Sequence, residues 1–219
     1  MPDLLYAWPG PAQFDRRIPK DQIYAHTAVT ASVKAAFVEH VDRLVWAYKL
    51  APSTLGIRST EAVPEIQVIR VHAKADDVPD AVLAAVDRAI PLPVVFEIVR
   101  PGAERELIRM RAAYRPVGVR SAPIYVGGGW LRADVERTPL PAAVDLTQLY
   151  GALLSPMLGV RVGPGDTPQE VAERLERQGV LEREHRALTR RYRNEKQFNR
   201  RVAIRGAIKT LEKEMETLA

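Results

Sequence analysis

The sequence predicts an α+β fold: a mixed β-sheet of about four or five strands with helices packed on it, followed by a C-terminal helical arm or helical hairpin. Three observations carry this. Residues 65–99 read strand, helix, strand with short connections, a βαβ unit that demands a parallel pair and a right-handed crossover. Residues 100–114 turn at Pro101-Gly102 and return as the second arm of a β-hairpin. Residues 181–218 then change character, with no proline, one glycine and a dense run of arginines, which is helix. The domain boundary is placed at 160, with an α+β domain over 1–160 and a helical arm over 161–219.

In chain order, residues 1–26 contain Pro2, Pro9, Pro11 and Pro19 and no sustained periodicity, so they read as an irregular arm across the domain surface. From Thr30 to Leu50, Val33, Phe37, Val41, Leu44 and Tyr48 recur at steps of 4, 4, 3 and 4, the stripe of a main core helix ended by Pro52 and Gly56. Each such side chain contributes roughly 1.5 to 3 kcal/mol when buried. Residues 65–74 are β-branched and apolar on both faces, Ile66 and Val68 on one and Ile69 and Val71 on the other, as in a central strand. Val78, Val82, Val86 and Ile90 step by four through the next helix, capped by Asp77 or Val78 with Pro79 in its first turn. Residues 94–99 and 106–114 are strands, with Leu107, Arg109, Arg111 and Ala113 opposing Ile108, Met110, Ala112 and Tyr114. A further strand covers 124–126 and 130–131, interrupted by Gly127, Gly128 and Gly129.

Asp145 with Gln148 forms a cap for a helix through Leu149 and Leu153. Residues 160–166 are a linker. Thr167, Pro168 and Glu170 open another helix with a capping box, and Gln178-Gly179 is expected to break or kink it. At the end, Ile204, Ile208, Leu211, Met215 and Leu218 follow at steps of 4, 3, 4 and 3, a heptad seam. The seam slips between Leu188 and Ile204. A continuous helix and a hairpin turning near Lys196–Asn199, where Asn199 suits a cap, both fit.

Composition narrows the function. The 219 residues contain no cysteine, which excludes disulfides, thiolate metal sites and a thiol nucleophile. Asp3 stands where a signal peptide carries basic residues, and the most apolar stretch, 89–99, holds two prolines and a glutamate, well short of the roughly 20 residues that span a bilayer. A cytoplasmic protein without membrane contact is expected. His26, His40, His72 and His185 lie in separate elements, Gly127–Gly129 lacks the lysine of a phosphate loop, and no cofactor motif is present, so neither metal nor cofactor is expected. A nuclease would need acids converging on a divalent ion; Glu65, Glu97 and Glu106 lie on or beside one sheet. Glu97 is better read as a cross-strand ion pair with Arg109 or Arg111. Ser121 has no histidine or acid near it in sequence, and Trp46 reads as core.

The residues that stand out are basic. Between Arg183 and Lys209 ten Lys/Arg face two acids, Glu184 and Glu195, an excess of eight in a chain whose net charge is +5, so the remainder is slightly acidic. Few acids sit at i,i+4 to pair with them, and Tyr192 and Phe198 are interleaved, a mixture suited to phosphate contact with stacking. The candidate binding residues are Arg186, Arg190, Arg191, Arg193, Lys196, Phe198, Arg200, Arg201 and Arg205, with Lys20 from the N-terminal arm added.

The segments RIPKDQIY (17–24), VWAYKLAP (45–52), VPEIQVIRV (63–71), DRAIPLPVVFE (87–97), AAYRP (112–116) and NEKQFNRRV (194–202), in order along nearly the whole chain, resemble the prokaryotic domain of unknown function 4391 family. Arg115 and Arg201 stand where that family commonly shows lysine, which keeps charge and changes its geometry. The resemblance transfers no catalytic residue. It implies association with helicases and DNA methyltransferases of restriction-like or phage-defence clusters; a chemotaxis-receptor label carried by some members does not suit a chain without a membrane segment. The expectation is a non-catalytic accessory protein of a DNA-processing or antiviral defence assembly that meets nucleic acid, a partner protein, or both through its basic arm. The alternatives are a metal-dependent nuclease or other phosphodiester enzyme, and a structural module forming homo-oligomers through Ile204, Ile208, Leu211, Met215 and Leu218.

Overall fold

A computed structural model describes residues 4–115, 122–163 and 165–218. The chain divides into two compact units, one built from Pro2–Tyr114 and Tyr125–Met157, the other from Leu158–Ala219 with Arg115–Ile124.

The first unit is the mixed sheet. It opens with β1 (Tyr6–Ala7), a 3-10 turn at Gly10–Ala12, β2 (Gln13–Ile18), α1 (Lys20–His26), α2 (Ala31–His40), β3 (Val41–Leu50) and the single turn α3 (Pro52–Leu55). The βαβ unit follows as β4 (Ile66–Ala73), α4 (Asp80–Ala89) and β5 (Val94–Arg100). Next come β6 (Leu107–Tyr114), β7 (Ile124–Gly127), β8 (Leu131–Arg132), β9 (Thr138–Pro139) and α5 (Leu146–Leu154). The sheet order is β2-β3-β4-β5-β6-β7, with β8 also on β6. That is six strands on the main path, more than the four or five expected. β4 and β5 are parallel, as the βαβ reading requires, and β5 and β6 are the expected hairpin. At its turn a side chain on Gly102 would collide with the Arg105 carbonyl, so the close approach there requires glycine. A Cβ on Gly127 would likewise lie 2.5 Å from the Met110 carbonyl oxygen of the adjacent strand, which accounts for the first of the three consecutive glycines.

One face of the sheet packs on α1, α2 and α4 through Leu44, Ile69, Val71, Phe96 and Ile98 against Ile23, Phe37, Val82 and Val86. On the other face of β4–β6 lie Val68, Arg70, Val95, Glu97, Met110 and Ala112, in register across the strands. Trp8 and Arg137 bond to that face, and Tyr150 of α5 donates to the Ala113 carbonyl at 3.3 Å. Asp145 caps α5 by accepting from the Gln148 N–H at 2.9 Å.

Two expectations fail here. The described part of the expected 1–26 arm, residues 4–26, is not irregular, because β2 is an edge strand on β3 and α1 packs in the core through Ile23. The helix expected over 30–50 ends at His40, and Val41–Leu50 is a strand paired on both sides. The cause is visible in the ladder. Irregularities between Val41 and Arg43 and between Trp46 and Tyr48 each shift the register. Leu44 therefore sits opposite Val71 on the helix-covered face while Leu50 sits opposite Ile66 on the other. With the face switching at the bulge, the fully buried residues are Val41, Leu44, Ala47 and Leu50, a step of three that imitates a helix. A smaller correction is that Pro79 occupies the cap position of α4, while Asp77 accepts from the Val78 N–H just ahead of it.

The second unit is a helical hairpin. α6 (Pro168–Asn194) starts at the expected capping box, in which Thr167 accepts from the Glu170 N–H and the Glu170 carboxylate accepts from the Thr167 N–H at 2.8 Å. It runs through Gln178-Gly179 without a break, since a lone glycine costs a helix only about 1 kcal/mol. Glu195–Gln197 turns the chain, and α7 (Phe198–Leu218) returns. The hairpin alternative is the observed one, with Gln197 rather than Asn199 accepting the first α7 bond, from the Arg201 N–H at 3.0 Å. Val171, Ala172, Leu175 and Leu181 of α6 and Ile204 and Leu211 of α7 are buried. The Arg177–Glu214 pair at 2.9 Å and the His185–Glu212 contact at 3.3 Å set the antiparallel register. The Arg161 N–H donates to the last carbonyl of α7, at Leu218, at 2.8 Å. Of the five seam residues, Ile204 and Leu211 are buried within the chain and Ile208, Met215 and Leu218 are half-buried. Pro164, within the expected linker, and Ser121 lie outside the described residues.

Candidate nucleic-acid interface

The turn of the hairpin is held by backbone economy. The Glu195 N–H closes α6 on the Arg191 carbonyl at 2.9 Å, and the Glu195 carboxylate accepts from the Gln197 N–H at 3.0 Å. That bond, with Arg200 and Arg191 nearby, holds its carboxyl below the usual range. The only acid in the turn is therefore committed to shaping it.

Around it stand Arg190, Arg191, Arg193, Lys196, Phe198, Arg200, Arg201 and Arg205, all exposed, with Arg186 further down α6. Arg186 pairs with Glu182 at 3.6 Å, and Arg201 lies over the Tyr192 ring at 4.9 Å, the cation–π contact that packs the two helices at this end. Among the described residues, Arg190, Arg191, Arg193, Lys196, Arg200 and Arg205 form no salt bridge. The hairpin therefore gathers at one end cations that the sequence spreads over sixteen positions, 190–205.

Their placement along the helices is informative. Arg191 and Arg193 fall in the last turn of α6, where the helix dipole favours positive charge. Arg200 and Arg201 fall in the first turn of α7, which holds no acid and where the dipole opposes positive charge by about 0.3 to 1 kcal/mol each. Helix stability explains the first pair and not the second. Phe198, at the head of α7, is 76% exposed, and Val202 one turn on is 55% exposed.

Lys20, the remaining candidate, lies in the sheet unit. Its ammonium group donates to the Phe37 carbonyl at 3.1 Å and also to the Val41 carbonyl, while Lys74 donates to the Val38 carbonyl. Both lysines satisfy the free carbonyls at the C-terminal end of α2. Burial, with Lys74 adding to it, lowers the Lys20 pKa. The sequence offered only a proline-flanked lysine, and nothing in it pointed to a helix end 17 residues away.

The acids suspected of metal chemistry do not converge, and no group of three or more His, Asp or Glu among the described residues could hold a metal ion. Glu65 accepts from Gln67 and lies 3.7 Å from Lys49. Glu97 is fully buried. It pairs not with Arg109 or Arg111, which stand opposite Ile98 and Phe96 on the other face and reach Asp77 and Asp80, but with Arg70 and Arg137. Arg70, its neighbour across the parallel ladder, donates to Oε2 at 3.0 and 2.7 Å. Arg137 and the Trp8 indole donate to Oε1 at 2.6 and 2.8 Å. Burial alone would raise this carboxyl, but the two guanidiniums and the bonds from Arg137 and Trp8 outweigh it and hold it below the ordinary glutamate value. This four-segment junction had no sequence signal beyond the Glu97 position, because Trp8 and Arg137 lie 89 and 40 residues away.

A mixed-sheet α+β unit together with a helical hairpin of basic tip defines the class of protein. The chain belongs to the family described as Domain of unknown function (DUF4391), whose model matches residues 7–215. No curated protein and no solved structure matches the chain. Among the described residues no helix is long and apolar enough to cross a membrane.

Proposed function

We propose that this chain is a non-catalytic accessory protein that binds nucleic acid through the tip of its helical hairpin, within a DNA-processing or phage-defence assembly. One observation carries the binding reading. The tip collects cations that have no carboxylate partner among the described residues, and two of them, Arg200 and Arg201, occupy the end of α7 where positive charge costs helix stability. Charge kept at a cost to folding has its return in a ligand, and phosphates are the ligand that a cluster of exposed guanidiniums suits best. The assembly reading rests on the family's resemblance alone.

The test is charge reversal at Arg190, Arg191, Arg200 and Arg201 together, measured as binding to single- and double-stranded DNA and RNA. All four side chains are exposed and the buried contacts of Leu175, Leu181, Ile204 and Leu211 are untouched, so the variant is expected to keep its helical circular dichroism although it loses the Arg201–Tyr192 contact. Affinity is expected to fall by about a hundredfold or more at low salt. Unchanged affinity for every nucleic acid would overturn the reading.

A further inference from the structure

We propose, resting on the nucleic-acid reading above, that the ligand is single-stranded and that Phe198 stacks on one of its bases. Phe198 is the most exposed large hydrophobic residue among those described, at 76%, and Val202, one turn on, extends its surface. Neither is left over from helix packing. At 100° per residue, Ile204 lies about 200° round α7 from Val202, so the face that meets α6 points away from this pair. By the same rotation Arg205 lies about 60° from Val202, on the side of α7 that carries the apolar pair, and Lys196 is two residues before Phe198; neither forms a salt bridge among the described residues.

The chemistry selects among polyanions. In a duplex the base faces are covered by their neighbours, and only edges and phosphates are offered. A phenyl ring has no donor or acceptor with which to read an edge. An unstacked base presents a face that an exposed aromatic ring covers, while flanking cations take the phosphates on either side. The sequence tolerance of such stacking also suits a tip without a polar side chain held in a fixed, buried geometry for reading bases.

The experiment uses the full chain and fluorescence anisotropy at one salt concentration with three labelled probes of equal length: an oligothymidine strand, an abasic strand and a duplex. The wild type is expected to bind oligothymidine about tenfold more tightly than the abasic strand and more tightly than the duplex. Phe198→Ala should lose that tenfold on oligothymidine and nothing on the abasic strand, and Phe198→Trp should restore it. If Phe198→Ala binds all three probes as the wild type does while charge reversal at Arg190, Arg191 and Arg200 weakens binding, the stacking proposal is overturned and the phosphate reading stands. If neither change matters, both fail, and the exposed Phe198–Val202 pair belongs to a protein contact.

Discussion

The Glu97 carboxylate has no exposed surface and accepts four hydrogen bonds. It joins Trp8, Arg70 and Arg137, and Arg137 also donates to the Tyr6 carbonyl at 2.7 Å, so the N-terminal segment and the β9 region are tied to the middle of the sheet through one group. Replacing it by alanine leaves two half-buried guanidiniums facing each other without a counterion, and a loss of about 3 to 5 kcal/mol in unfolding free energy is expected by urea denaturation. Its pKa is depressed in the folded state, so its contribution is complete above the unfolded value of about 4.3 and is lost as pH falls through the lower folded value. Stability measured between pH 6 and 3 should therefore fall less steeply in Glu97→Gln than in the wild type. Equal slopes would show that the carboxylate is not the linked group.

At the scale of elements, the junction of α2 and β3 is the instructive one. The helix ends at His40 and the strand begins at Val41 with no connecting residue; the Val41 N–H reaches the Phe37 carbonyl and the Lys74 N–H the His40 carbonyl at 2.9 Å, and side chains complete the end. Lys20 and Lys74 supply the donors. Lys20→Met should cost about 1 to 2 kcal/mol in thermal or urea unfolding and leave nucleic-acid binding unchanged. Weakened binding with unchanged stability would place Lys20 in the interface. Where local signals and tertiary structure agree, the sequence is readable: the capping boxes and caps at Thr167 and Asp145, the β4–α4–β5 crossover and the alternation of β6 are all present as their residue types predict. β3 is where they part. Its bulges replace the period of two by a burial step of three, and a periodicity argument has no means of separating that from a helix. The basic cluster was plain in the sequence, while its gathering at one turn needed the hairpin, and the helix-end carbonyls that hold Lys20 needed the fold of the sheet unit.

Over the whole molecule the charge is uneven, with an excess of eight between Arg183 and Lys209 in a chain of +5. The rest carries a net negative charge and has no reason to attract a polyanion, so the tip alone should set the ionic-strength dependence of binding. Seven tip cations, Arg190, Arg191, Arg193, Lys196, Arg200, Arg201 and Arg205, place an upper limit of about 5 on the fall in log affinity per unit log salt for a single strand. A titration steeper than that would require phosphate contacts elsewhere on the chain.

The bulged strand has a further consequence during synthesis. β3 leaves the ribosome with β2 already made and β4 still to come, so one side of its ladder is open while its residues carry helical spacing. Pairing on both sides waits until Ala73 has been added, 23 residues after Leu50. At cellular elongation rates that interval is about 1 to 5 s. During it Val41–Leu50 has β2 alone to pair with, and its second ladder forms only when β4 arrives.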